Sequence, residues 1–177
     1  MKVNIKRITF IPTFTSLMIV FTIILPPFTV PIINVNITLQ TFIVMLAGLL
    51  LSPFEAFLSI FLYVLIGIVG FPVFSGMRGG VGVIFGPSGG FIVSFPIVAL
   101  LISVFRLKKA FILYLILTLL FGIILTYLFG LIWLYIFTNN AFGKLIYGIL
   151  IFIPFDILKC ILASFISIRI NNSNIFK

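Results

Sequence analysis

Residues 110–136 read AFILYLILTLLFGIILTYLFGLIWLYI, without one charged side chain or proline. A helix that crosses the hydrocarbon core of a bilayer needs ~20 mostly apolar residues, so this run is long enough to cross and to tilt. Similar apolar runs cover residues 8–25, 38–52, 54–71, 87–105 and 146–168, separated by charges or by Pro and Gly breaks. The second and third meet at Ser52-Pro53, a tight turn. The composition agrees: 177 residues, 63% apolar and 7% charged, with a mean hydropathy of +1.47. A soluble domain carries about 25% charged residues, so this chain cannot cover a water-facing surface. Backbone polar groups in lipid must pair within their own segment, and no alternating barrel pattern is present. The expectation is an all-α integral membrane protein, one membrane domain of six transmembrane helices over residues 1–177.

Orientation follows from the cations. Lys2, Lys6, Arg7, Arg106, Lys108, Lys109, Arg169 and Lys177 gather on one side of this six-span scheme, against Arg78 and Lys144 on the other. The excess of Lys and Arg marks the cytoplasmic side, which predicts both termini inside. Leu25-Pro26-Pro27 offers no small-residue cleavage site, so the first run reads as a retained span. Trp133 and Tyr135 are then expected at the outer interface, where amphipathic rings are favoured.

Several chemistries are excluded. There is no His, so no imidazole base and no His metal site. The single thiol, Cys160, makes no internal disulfide and reads as a small apolar packer. Glu55 and Asp156 are the only acidic residues, too few for a divalent-cation cage or a separated acid–base pair. Gly143-Lys144 lacks the earlier glycine and the following hydroxyl of a phosphate-binding loop, so ATP is not hydrolysed by that route. The net charge of +9 is scattered at span ends, as lipid head groups and topology require. The chain reads as a non-enzyme without cofactor or metal.

Two segments break the apolar pattern. Residues 67–90, GIVGFPVFSGMRGGVGVIFGPSGG, hold nine of the fourteen glycines. The run is too rich in glycine for a continuous helix and too apolar for a solvated loop. One reading is a turn eased by glycine; the other is an ordered cap over a ligand, with Gly76, Gly79 and Gly80 as capping-loop residues. Arg78, which topology does not require on that side, is a fork-shaped donor suited to a carboxylate. Ser88 follows Pro87 at the start of the fourth span, where it can satisfy free N–H groups, and is a further candidate for a ligand contact.

The second break is Ile153-Pro-Phe-Asp-Ile-Leu-Lys159. A lone charge at bilayer depth costs ~2.5–3.5 kcal/mol on insertion scales, so each needs a reason to be there. Asp156 and Lys159 stand at i and i+3 on one helix face. Pro154 predicts that the last continuous helix begins here, with Asp156 in its first turn near the positive dipole end. Either the pair locks two helices together, or it hydrogen-bonds a polar ligand between them. Gln40, at the start of the second span, is a further candidate for a ligand contact; Asn139 and Asn140 read as loop, and Glu55 as turn chemistry.

Together these residues resemble the biotin-specific substrate-binding subunits (BioY, the S component) of energy-coupling-factor (ECF) transporters. The resemblance runs through Val30-Pro-Ile-Ile-Asn-Val-Asn-Ile-Thr-Leu-Gln40, Leu46-Ala-Gly-Leu-Leu50 and Tyr63-Val-Leu-Ile-Gly67. It is strongest in Gly70-Phe-Pro-Val-Phe-Ser-Gly76, Arg78-Gly-Gly-Val-Gly82 and Gly86-Pro-Ser-Gly-Gly90, and continues through Gly130-Leu-Ile-Trp-Leu134 to Ile153-Pro-Phe-Asp-Ile-Leu-Lys159. It implies a six-helix fold with both termini inside, an outward-facing biotin pocket under capping loops, and partners: a transmembrane coupling subunit and two ATP-binding subunits. It puts Asp156 and Lys159 at the polar biotin contacts and Arg78 on the valerate carboxylate. It also places the docking of the coupling subunit on the first helix at Pro12 and Ser16, where relatives carry an Ala pair. Phe155 stands where the family has Gly, and Phe91 where Tyr is common. Three alternatives stay open: the same fold for another small vitamin, an ion-coupled secondary transporter using Asp156 and Lys159 as a relay, and a membrane scaffold without a ligand.

Overall fold

The computed structural model describes residues 8–24, 28–30, 33–138 and 142–173. Lys2, Lys6, Arg7 and Lys177 of the cation count, the Leu25-Pro26-Pro27 segment, and Asn139 and Asn140 lie outside the described residues. Helices dominate: α1 Phe10–Ile24, α2 Gln40–Leu50, α3 Pro53–Val69, a single turn α4 Val81–Ile84, and α5 Gly89–Phe105. The run quoted first forms one continuous helix from Phe111 to Thr138, 28 residues long. It divides into α6 Phe111–Leu117, a π-helical stretch Thr118–Leu125, and α7 Thr126–Thr138. Among the described residues this helix is by itself long and apolar enough to cross a membrane, and the bent pair Phe142–Leu150 with Ile153–Asn172 is so when taken together.

Two features depart from the apolar-run reading. Residues 146–168 are not one helix: α8 Phe142–Leu150 and α9 Ile153–Asn172 meet at a 48° bend. The break lies just before Pro154, whose missing N–H is tolerated only in the first turn of a helix. The second departure is a two-stranded antiparallel hairpin, β1 Phe28–Val30 with β2 Val35–Ile37, paired Thr29↔Asn36 and Val30↔Val35. Three-residue strands are too short for their alternation to stand out between two long apolar runs.

The packing explains where a site can form. The α3 start is set by a capping box, in which Ser52 N–H donates to Glu55 Oε2 at 3.0 Å and Pro53 holds the first turn. Glu55 is thus turn chemistry, as its place in the sequence suggests. The α2 helix has 11 residues, a rise of roughly 16 Å against a hydrocarbon core of ~30 Å. It is therefore about half the length of a crossing, and its N-terminus is continued by the hairpin rather than by helix. In a membrane, non-helical backbone is tolerated where it lines a cavity.

The other end of α2 is held by side chains from the end of α5 and from α9. Arg106 donates to Leu49 O and, at 3.2 Å, to Leu51 O; Ser103 Oγ donates to Leu51 O at 2.6 Å. From α9, Asn171 Nδ2 donates to Leu49 O at 3.2 Å and to the Tyr114 hydroxyl at 2.9 Å. These bonds satisfy carbonyls that a helix C-terminus leaves free. Around α2 lies the core, with Ile43, Met45, Leu49, Ile60, Tyr63, Ile102 and Leu134 fully buried. Cys160 packs into it with its Sγ 3.8 Å from Met45 Sδ.

Candidate functional site

The point where α2 stops is the floor of a chamber. Its walls come from the hairpin (Asn36), the α2 start (Thr38, Gln40, Thr41), the glycine-rich segment (Phe74, Ser75, Arg78), α5 (Ser88, Phe91, Phe95), α7 (Thr126, Tyr127) and the α8–α9 bend (Phe152, Asp156, Lys159). Arg78 and the Asp156–Lys159 pair, far apart in sequence, line one hollow. It is narrow, about 50 Å³.

At the floor sits an ion pair. Lys159 Nζ lies 2.6 Å from Asp156 Oδ1, and the residues are 7% and 3% exposed. Asp156 is in the first turn of α9, where the helix dipole favours a carboxylate. The pair is embedded in a network. Tyr127 donates to Asp156 Oδ2 at 2.5 Å, and Thr41 Oγ1 donates to Oδ1 at 3.3 Å. Lys159 donates to Thr38 O at 2.6 Å and to Thr41 Oγ1 at 3.3 Å. An ammonium has three N–H donors, and here all three have protein acceptors. Of the carboxylate's roughly four acceptor sites these bonds use three, leaving one on Oδ2. Physically, Lys159 neutralises Asp156 and ties α9 to the α2 start, while Asp156 is the group left with acceptor capacity.

Gln40 lines the chamber, but its amide is committed. Its Nε2 donates to the Tyr63 hydroxyl at 2.5 Å, which in turn donates to Val73 O at 2.9 Å, and its Oε1 accepts from Thr38 Oγ1 at 3.0 Å. Gln40 therefore braces the capping segment from below. Ser88 also lines the chamber, yet it makes no cap hydrogen bond, contrary to the sequence expectation. Its φ of −83° and ψ of −6° are already helical, so its hydroxyl is not set to reach the next N–H groups.

The glycine-rich segment is ordered by its own backbone. Phe74 and Arg78 form an antiparallel bridge, N–H to O at 2.9 and 3.2 Å, closed by Gly76 and Met77 at positive φ. Gly80, at φ +89°, donates to Gly67 O at 2.7 Å, and a Cβ on Gly79 would stand 2.2 Å from Phe71 O. A Cβ on Gly67 would stand 2.1 Å from the Phe74 ring, which is buried edge-on against Tyr63. Glycine at these positions is what lets the segment fold flat over the chamber. One bond joins it to the hairpin: Asn36 Nδ2 donates to Ser75 Oγ at 2.8 Å, while Thr29 Oγ1, across the hairpin, donates to Asn36 Oδ1 at 2.7 Å. The Arg78 side chain is exposed, with Nε donating to Ser75 O at 3.1 Å.

Trp133 packs against the glycine-rich segment. The indole is half-buried, donates to Gly86 O at 2.9 Å, and rests where Cβ atoms of Gly89 and Gly90 would be. Tyr135 is 55% exposed. Phe155, 54% exposed, points away from the chamber, whereas Phe91 lines it and covers Gly130. On α1, Pro12 and Ser16 are exposed and share a groove with Thr13, Leu17 and Val20.

Sequence reasoning missed Thr41, Ser75 and Tyr127. The hydroxyls at Thr118, Thr126 and Tyr127 in an otherwise apolar run were the signal for the last. The π-helical stretch before Thr126 changes the phase of the helix, and such stretches favour functional sites; both Thr126 and Tyr127 are buried toward the chamber.

Residues 1–175 match the BioY family. A probable biotin transporter BioY of Bacillus subtilis (strain 168) is 39% identical over 166 residues, 92% of this chain and 89% of the relative. One from Pyrococcus horikoshii is 39% identical over 141 residues, 78% and 82% of the two chains. Among solved structures, the crystal structure of the S-component for biotin from an ECF-type ABC transporter superposes with a TM-score of 0.94. It is 30% identical, with 99% of this chain and 97% of that chain covered.

Proposed function

The chain belongs to the BioY family, and on that premise we propose that it is the biotin-binding subunit of an ATP-driven vitamin uptake system in the cell membrane. It is a transporter component and not an enzyme. The observation that carries the site assignment is the buried Asp156–Lys159 pair at the floor of a chamber that Arg78 also lines. Biotin has a ureido group with two donors and one acceptor, an apolar thioether ring and an anionic tail. Asp156 accepts from the ureido N–H groups, with Lys159 and Tyr127 holding it in place. Phe91, Phe95 and Phe152 cover the ring. The Arg78 terminal nitrogens, with no partner among the described residues, pair the carboxylate.

In the membrane, α1, α2 with the hairpin, α3, α5, the helix Phe111–Thr138 and the bent pair α8–α9 make six spans. Both termini are cytoplasmic and the capping segment faces outward, in line with the cation distribution. The chain carries no phosphate-binding loop, so the energy comes from partners: a transmembrane coupling subunit and two ATP-binding subunits. The coupling subunit docks on the groove at Pro12 and Ser16, where small side chains allow close helix approach.

The test is equilibrium binding of labelled biotin to purified protein, competed by cold biotin and by riboflavin or thiamine. Only biotin should compete, and Asp156→Asn and Arg78→Ala should each weaken binding. Unchanged affinity in both variants would remove the site assignment, and competition by riboflavin or thiamine would remove the biotin assignment.

A further inference from the structure

A second hollow lies on the other side of Arg78. It is lined by Arg78, Gly79, Gly82, Val83, Gly86 and Ser88, and its volume is about 350 Å³. Arg78, Val83 and Ser88 also line the chamber, so the two hollows share a wall. Their sizes are the reverse of what a passive lid over a ready pocket would give. Sites for small organic ligands run from about 300 to 1,000 Å³. The chamber at about 50 Å³ falls short of that range, whereas the outer hollow lies within it. The shared wall carries a guanidinium tethered, among the described residues, only through Nε, with Ser75 O as acceptor, which leaves its terminal nitrogens for a ligand.

We propose that the glycine-lined hollow is a vestibule, in which a carboxylate-bearing ligand first docks on Arg78 before the wall parts and it passes into the Asp156–Lys159 chamber. The identity of that ligand as biotin rests on the reading given under Proposed function; the vestibule itself rests on the two hollows and their shared arginine. Arg78 keeps hold of the carboxylate throughout while the ring end moves inward. The Arg78 end of the wall is anchored, by Asn36 to Ser75, by Tyr63 to Val73 O and by Gly80 to Gly67 O. The part free to move is residues 81–88, tied to α7 by Trp133 to Gly86.

Gly82 supplies the test. It sits in α4, and a Cβ built on it meets nothing within 4 Å. Gly82→Leu therefore places its side chain at the hollow without crowding the fold. Association and dissociation of tritiated biotin are measured on the full chain in detergent by rapid filtration. Gly82→Leu should slow both rates at least about tenfold, a change within the span one site's variants show, and leave their ratio, the Kd, nearly unchanged. Association at the wild-type rate would overturn the proposal, as would a weakened Kd with unaltered association.

A second arm does not need biotin. Arg78 is modified with phenylglyoxal and read by mass spectrometry, with and without millimolar hexanoate as a plain carboxylate probe. Hexanoate should protect Arg78 and not Arg169, which is exposed and stacked 5.3 Å from the Phe165 ring. Gly82→Leu should reduce that protection. Equal modification with and without hexanoate would overturn the vestibule. If the wild type binds no biotin at all, the biotin assignment fails, and protection of Arg78 alone decides the vestibule.

Discussion

Replacing Lys159 with methionine keeps the apolar stem and removes the charge, which separates the two things the ion pair does. Asp156 and Lys159 are 3% and 7% exposed, with 2.6 Å between their charged atoms. In Lys159→Met the carboxylate keeps only Tyr127 and Thr41 as donors. Stripping one partner from a buried pair costs about 3–5 kcal/mol, mostly from the charge left behind. For a domain of this size that is a fall in Tm of roughly 6–20 °C. Neutralising both groups, Asp156→Asn with Lys159→Met, removes the orphaned charge and should recover most of that loss. Biotin binding should be absent in the double variant, because the ureido donors have lost their carboxylate. Cys160 makes the measurement simple. It is the single thiol and is fully buried, so a thiol-reactive fluorogenic dye reports unfolding during a temperature ramp. Saturating biotin should raise the wild-type Tm and leave the double variant where it is. If Lys159→Met melts with the wild type, the lysine neutralises nothing. If the double variant binds biotin normally, the pair is a structural clamp only.

Three further outcomes follow from the same geometry. Tyr127→Phe removes a hydrogen bond to a charged group, worth about 1.5–3 kcal/mol, and should weaken biotin binding by roughly ten- to a hundredfold in the titration above. Gly67→Ala drives a methyl into the Phe74 ring, an overpacking cost of about 1–3 kcal/mol; loosening of the capping segment should speed tryptic cleavage after Arg78, read by mass spectrometry. Asn36→Ala cuts the tie between hairpin and cap, a bond of about 0.5–1.5 kcal/mol, and should raise the biotin dissociation rate by roughly two- to tenfold.

The site was legible where its residues contradicted their surroundings. Asp156 and Lys159 stand out because charge in an apolar run is costly, and Arg78 because it sits within a glycine-rich stretch on the sparsely charged side. Gln40 was legible as polar but not in its direction: its amide is taken by Tyr63, whose position depends on the packing of α3 against α2. Tyr127 and Thr41 are ordinary residues of apolar helices, and only the π-helical phase change and the early stop of α2 bring them to the carboxylate. The hairpin and the 48° bend escaped for a shared reason. Hydropathy records how apolar a run is and not where its backbone turns, so Pro154 marked a helix start without revealing the separate helix before it.

Trp133 carries a practical corollary. The chain has one tryptophan, and its ring is wedged over a pair of residues with no side chain, tied by a single N–H to the segment that borders both hollows. An unlabelled sample thus contains a lone indole, excitable at wavelengths where the five tyrosines do not absorb, at the seam between the two hollows. Its emission colour and quenching by a water-soluble iodide salt should track each rearrangement of residues 86–90, with no second indole to dilute the signal.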